Sequence, residues 1–327
     1  MKRRTFLRGV GGAIALPMIA GPGKPDAGEK PAHPREKMKR VGATTVCFRS
    51  RFPQTRGSNA DYSGPDMKLE EVPAFFAEKL GVHNVELWSR HFSDDSLKFC
   101  RKLKKLAAKE EDSRIINIQL DADDNLSARD RARRRESVDF VKKWMDRAAA
   151  CGAGSLRANT GGGRQPFDLS ITADSFRQLA EHGKEIGVKI LVENHTGYAR
   201  DPENVVAIVE AVDSPWCRTL PDFGNMPQDL SREKRHAFLK KLMPHAHLIS
   251  AKGMHFDEEG NHTTYGLGAC VRLAESCGFE GIYSAEQWSR EPIAVSDLRA
   301  ARRIIEIIVK NMREPEKEQK QQGESTI

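Results

Sequence analysis

Ile190-Leu-Val-Glu193-Asn-His195, Thr219-Leu-Pro-Asp222-Phe-Gly-Asn225, Leu248-Ile-Ser250-Ala-Lys252 and Ile282-Tyr-Ser-Ala-Glu286-Gln-Trp288 share one form, a short β-prone apolar run that meets a charged side chain. Segments of helical periodicity separate them: Pro202 to Val212, Arg232 to Leu242 and Gly268 to Cys277. Strand, helix and strand in that order build a parallel sheet. The same alternation extends outward in both directions. Strands are expected near 41–48, 83–88, 115–121, 155–160, 188–194, 217–222, 246–251 and 282–287, with helices from Leu69 to Leu80, Ala128 to Cys151, Ala173 to Ile186 and Ile293 to Asn311. Eight strands at spacings of 29 to 42 residues predict an α/β fold, a single-domain (β/α)8 barrel over 41–312. An open doubly wound sheet is the alternative, but no GxGxxG or GxxxxGK follows any strand. Gly161-Gly162-Gly163 lacks that spacing and reads as a flexible loop.

Composition supports a soluble globular body: 39% of the 327 residues are hydrophobic and 30% charged. The net charge of +7 would normally suggest a nucleic-acid partner. Residues 1–40, however, carry ten basic and three acidic residues, which leaves 43 of each sign in the remainder. The body is neutral, and its basic runs, Arg101 to Lys109 and Arg129 to Lys143, read as solvated helix faces, so no nucleic-acid partner is expected. The first residues, Met1-Lys-Arg3-Arg4-Thr-Phe-Leu7-Arg8, precede an apolar run from Gly9 to Ala20. That run is too short to span a bilayer, and with the arginine pair it resembles a twin-arginine export signal. The expectation is a signal and flexible linker over 1–40, a periplasmic or extracellular protein with no stable membrane insertion, and a polar disordered tail over 313–327. Six cysteines without zinc spacing are expected to be buried free thiols. The oligomeric state stays open.

In a barrel of this kind the active site lies at the C-terminal strand ends. Three carboxylates, Glu193, Asp222 and Glu286, end strands five, six and eight there. A buried carboxylate costs several kcal/mol unless it is paired, so three converging ones call for a cation. That cation is either a metal or a set of ion pairs from Lys252, Arg157 or Arg90.

The chain also resembles the xylose isomerase-like barrels known as sugar phosphate isomerases/epimerases. The resemblance rests on Val85-Glu-Leu-Trp88, Leu191-Val-Glu-Asn-His-Thr-Gly197, Thr219 to Asn225, Ile249-Ser-Ala-Lys252, Phe256-Asp-Glu-Glu-Gly260 and Gly281-Ile-Tyr-Ser-Ala-Glu286. It implies a divalent metal held by Glu193, Asp222 and Glu286, with the two glutamates also shuttling protons. The family's strand-seven histidine is replaced by Ser250. His255, three residues past Lys252, is the candidate substitute ligand, whereas His247 has the wrong strand parity. Trp88, His91, Asn159, His195 and Lys252 fall where substrate hydroxyls are expected. Oxygen ligands favour Mn or Mg, with Zn or Co also compatible.

Together these features lead us to expect a metal-dependent isomerase or epimerase, or a related lyase, acting on a carbohydrate by proton abstraction beside a carbonyl. Export points to an unphosphorylated sugar or keto-sugar. The alternatives are a non-catalytic exported sugar-binding barrel and, more remotely, a relative of the abasic-site endonucleases.

Overall fold

The expected apolar runs become strands whose residues are almost all buried, as they must be in a parallel sheet covered by helices. A computed structural model of the chain describes residues 33–57, 62–227, 229–289 and 293–314. The expected export signal, the first part of the expected linker and the tail from residue 315 lie outside the described residues.

The strands are β1 (Val41–Thr44), β2 (Asn84–Trp88), β3 (Arg114–Gln119), β4 (Ser155–Ala158), β5 (Lys189–Glu193), β6 (Cys217–Leu220), β7 (Leu248–Gly253) and β8 (Ile282–Gln287). They pair in parallel in the order β6-β5-β4-β3-β2-β1-β8-β7. Bridges between Thr219 and Ala246 and between Asp222 and Ser250 close the remaining gap. There the Ser250 amide donates to the Pro221 carbonyl (3.0 Å) and the Phe223 amide to the Ser250 carbonyl (3.1 Å). The sheet closes on itself as a (β/α)8 barrel, which removes the open-sheet alternative.

Around it run α1 (Arg35–Met38), α2 (Val72–Leu80), α3 (Leu97–Ala107), α4 (Arg131–Cys151), α5 (Leu169–Ile186), α6 (Pro202–Val212), α7 (Arg232–Leu242), α8 (Leu267–Ser276) and α9 (Asp297–Asn311). Ser96, Asp130, Asp168, Asp201, Ser231 and Ser296 cap helix starts, their side chains accepting backbone amides that no intrahelical carbonyl reaches. Among the described residues no helix is long and apolar enough to cross a membrane.

Three expectations need correction. The first strand stops at Thr44, whose side chain accepts the Val46 amide, and residues Thr45–Arg51 turn into 3-10 helix. The linker does not run to residue 40: α1 docks there because Lys37 is buried and donates to the Val309 and Met312 carbonyls. The disordered tail does not begin at 313, since Glu314 pairs with Lys37 (2.7 Å) and the Arg313 amide donates to Glu275 (3.1 Å). All six cysteines are free; five are buried and Cys277 is exposed.

The interior has two apolar regions. The larger lies between sheet and helices; the smaller, Leu191, Leu220 and Leu248 with Ile116 and Ile282, forms the barrel floor. Gly42 fits this floor because a Cβ there would stand 3.0 Å from the Asn84 carbonyl and 3.3 Å from Ile116 and Ile282. Above the floor the interior becomes polar.

Candidate active site

The period of two that sends Leu191 and Leu248 to the floor sends Glu193, Ser250 and Lys252 upward into the same interior. Glu193, Asp222, Lys252 and Glu286 are 2%, 0%, 5% and 4% exposed. Lys252 Nζ lies 2.9 Å from Asp222 Oδ2 and 2.9 Å from Glu286 Oε1, and donates to Asn225 Oδ1 at 2.8 Å. Asn225 Nδ2 donates to Glu193 Oε1 (3.3 Å), and Arg157 Nε stands 2.9 Å from Glu193 Oε2. The Arg157–Glu193 and Lys252–Asp222 contacts are close charge pairs without hydrogen-bond alignment, so Glu193 Oε2 and Asp222 Oδ2 stay unsatisfied in that sense.

Glu286 accepts hydrogen bonds from Gln119 Nε2 (2.9 Å) and Ser250 Oγ (3.1 Å). Glu193 and Asp222 lie within hydrogen-bonding reach of each other. Burial pushes both above the usual carboxylate range, against the pull of Arg157 and Lys252 on Glu193 and of Lys252 on Asp222. Each of the two therefore takes up a proton more readily than an ordinary carboxylate does. Lys252 is raised by Asp222, Glu286 and Glu193 and remains an ammonium.

Deeper in the barrel, Glu86 accepts from Asn117 Nδ2 (2.7 Å) and from Ser284. Burial raises its pKa to about 7. Toward the mouth, Arg157 Nη1 pairs with Asp121 Oδ1 (2.8 Å) and donates to Asn159 Oδ1 (3.2 Å). Trp88 Nε1 donates to Asp121 Oδ2 (2.8 Å). Asp121 is held below the usual carboxylate range by Arg157, against the opposing effect of burial.

The structure thus gathers most of the expected residues. Glu193, Asp222, Glu286 and Lys252 form the centre; Trp88 and Asn159 reach it through Asp121 and Arg157. His195 follows Glu193 with a buried Nδ1 that has no partner, and burial lowers its pKa to about 4. Two histidines are not brought in as expected. His91 is buried, stacked on Phe52 at 3.8 Å, and its ring nitrogens meet the Thr45 and Thr55 hydroxyls at 2.9 Å each, so no nitrogen is left for a substrate. His255 is turned toward Ser289, with Nδ1 3.3 Å from that hydroxyl, and is not placed among the carboxylates. Arg90 lies over the Trp88 ring, leaving Lys252 and Arg157 as the cations of the centre.

Gln119, Asp121 and Asn225 were not singled out from sequence, although Gln119 and Asp121 share the parity of Asn117 at the end of β3. Asp124, in the following loop, was also missed: both its carboxylate oxygens are buried without a partner, and burial raises it to about 7.

The residues as placed do not fit a divalent metal. The locus between Asp222 and Glu286 is taken by the Lys252 ammonium, the Ser250 hydroxyl is committed to Glu286, and His255 points elsewhere. Among the described residues no group of three or more His, Cys, Asp or Glu side chains is arranged to hold a metal ion.

With this geometry in view, the comparison with known proteins is direct. The model of the xylose isomerase-like TIM barrel family matches residues 75–308. The chain belongs to that family. No curated relative matches the sequence. Among solved structures, the xylose isomerase-like barrel resembles an L-ribulose 3-epimerase at 16% identity, covering 84% of this chain and 94% of that one, with a TM-score of 0.64. A 3-keto-D-glucoside 4-epimerase from E. coli matches at 13% identity, with coverages of 82% and 98% and a TM-score of 0.61. A xylose isomerase-like barrel from Mycobacterium smegmatis, solved in complex with magnesium, matches at 16% identity, 84% and 98% coverage and a TM-score of 0.56. At these identities the likeness is one of fold.

Proposed function

We propose that this xylose isomerase-like barrel is a carbohydrate isomerase or epimerase that moves a proton on a carbon beside a carbonyl. The observation that carries the reading is the pair of buried glutamates at the ends of β5 and β8, linked across the barrel through Lys252 and Asn225. The solved sugar epimerases of the same fold support it.

The two glutamates differ in the way such a reaction requires. Glu286 accepts from Gln119 and Ser250, pairs with the Lys252 ammonium and suits a base. Glu193, whose hold on a proton burial strengthens, suits an acid. When Glu286 takes the carbon-bound proton, the C–H electron pair becomes a carbon–carbon double bond and the carbonyl pair moves onto oxygen. Return of a proton from Glu193 to the opposite face of the same carbon inverts it; return to the neighbouring carbon, with the hydroxyl proton of the deprotonated carbon passing to the former carbonyl oxygen so that a new carbonyl forms there, isomerises the sugar. Loss of a β-substituent instead of reprotonation would make the enzyme a lyase. In this reading Asp121, Asn159 and His195 would hold substrate hydroxyls.

The export signal read in the leader favours an unphosphorylated sugar or keto-sugar. An NMR-read screen of free and phosphorylated sugars and keto-sugars, with and without added Mn or Mg, tests the reading. Rearrangement of a free sugar that falls about a hundredfold or more in Glu286→Gln is the expected result. Binding without turnover across the panel would leave a sugar-binding barrel in place of an enzyme.

One observation favours a second reading, with a divalent ion in the site. Five carboxylates, Glu86, Asp121, Glu193, Asp222 and Glu286, share the interior with two permanent cations, Arg157 and Lys252. An all-oxygen donor set would select Mn or Mg over Zn. That reading requires Lys252 to withdraw from Asp222 and Glu286.

A further inference from the structure

We propose that Lys252 is the resident cation of this site, its ammonium standing between the carboxylates that a divalent metal would need, so that the protein neither needs nor retains one. The inference deepens the proton-transfer reading, but its central measurement does not depend on it.

The side chain is built into its place. Its ammonium has three partners within 2.9 Å: it donates a hydrogen bond to Asn225 and stands as a close charge pair with both Asp222 and Glu286. Register delivers one of them directly, because Lys252 pairs with Glu286 across β7 and β8. The stem lies over Gly224, where a Cβ would stand 3.0 Å from both Lys252 Cγ and Cδ. The Lys252 carbonyl accepts from the Tyr265 hydroxyl, which fixes the backbone behind the stem. The strand-seven position that would supply a nitrogen ligand is Ser250, and its hydroxyl serves Glu286 instead. A divalent ion entering between Asp222 and Glu286 would meet a like charge at hydrogen-bond distance from both of its carboxylates.

This arrangement gives Lys252 a defined part in the chemistry. When Glu286 takes the carbon-bound proton, negative charge leaves Glu286 and appears on the substrate oxygen in the same step. The N–H that faced Glu286 is then released to hydrogen-bond that oxygen, and Lys252 keeps its own protons throughout. Charge stabilisation of this kind is the part a metal plays in a metalloenzyme.

Metal analysis and thermal unfolding of the full chain, dialysed against Mn or Mg and then against buffer or EDTA, test the proposal. The parent protein should retain no stoichiometric metal, and neither Mn nor EDTA should shift its unfolding temperature. Lys252→Met frees the carboxylates of their ammonium and should bind Mn about tenfold or more tightly than the parent, with stabilisation on binding. Gly224→Ala presses on the Lys252 stem while keeping its charge. It should gain part of that Mn affinity, and it carries the test if Lys252→Met fails to fold. Stoichiometric Mn or Mg in the parent, or an unfolding temperature lowered by EDTA, would overturn the proposal. So would a well-folded Lys252→Met with no gain in Mn affinity. None of these readouts needs a substrate, so a silent sugar screen would count against the enzyme reading alone. Where turnover is found, EDTA should leave the parent's rate unchanged.

Discussion

Glu86 shows what a single buried residue imposes on the whole fold. It is fully buried between Asn117 and Ser284, and its pKa rises to about 7 from an ordinary value near 4.5. Between those two pH values the native state holds a proton that the unfolded chain has released. Native Glu86 therefore contributes stability that is fully present below about pH 4.5 and is lost as pH rises through about 7, amounting to about 3 kcal/mol. Glu86→Gln removes the titration while keeping the size. Chemical unfolding across that pH range should show the parent losing about 3 kcal/mol more than the variant; parallel curves would contradict the assignment.

At the same scale, the sequence revealed the acids more readily than their partners. Glu193, Asp222 and Glu286 stand out because a carboxylate at the end of an apolar run is unusual. Arg157 was identifiable as a candidate for pairing, and Lys252 as a candidate either for pairing or for a substrate hydroxyl, because both long side chains can reach several acids. Gln119 and Asn225 are ordinary polar residues whose part depends on tertiary proximity alone. His91 and His255 were misplaced for a related reason: strand position locates a Cα but does not reveal that Thr45, Thr55 or Ser289 waits beside the ring.

At the scale of elements, apolar runs and capping residues mark most strands and helices to within a few residues. The ends are less legible where tertiary contacts decide them, as at Thr44 and at α1, which owes its place to Lys37 reaching the end of α9. In β3 the register shifts so that Val85 pairs with Ile115 but Glu86 with Asn117, leaving Ile116 over. This bulge lets Ile116 pack on the floor while Asn117 reaches Glu86, so both face the interior. Periodicity alone cannot show that.

Gly183 is an element-scale constraint with a measurable consequence. It lies near the end of α5, where the helix passes over the start of β5, and a Cβ there would stand 2.2 Å from the Val188 carbonyl oxygen and 2.9 Å from Met145 Cε. Backbone has to shift to admit it. Gly183→Ala should destabilise the fold by about 1–3 kcal/mol, as overpacking does, read as a lower unfolding midpoint. An unchanged midpoint would show that α5 and β5 are less tightly apposed.

At the scale of the molecule, the barrel turns a linear pattern into a site. Strands five to eight are separated by long helical excursions, yet closure through Asp222 and Ser250 brings their ends together over one apolar floor. The eightfold alternation made the architecture legible from sequence. The position of the Lys252 ammonium between Asp222 and Glu286 was not legible, because it depends on where one long side chain folds.

The most direct test of the central claim, proton transfer by two glutamates across the barrel, is solvent isotope exchange. In deuterium oxide, with a sugar the parent turns over, NMR should show deuterium entering the carbon beside the carbonyl. Glu193→Gln and Glu286→Gln should remain folded, lose about a hundredfold or more in turnover, and at least one should cease to exchange. Full activity in both variants, or turnover by the parent with no deuterium entering the product, would contradict it.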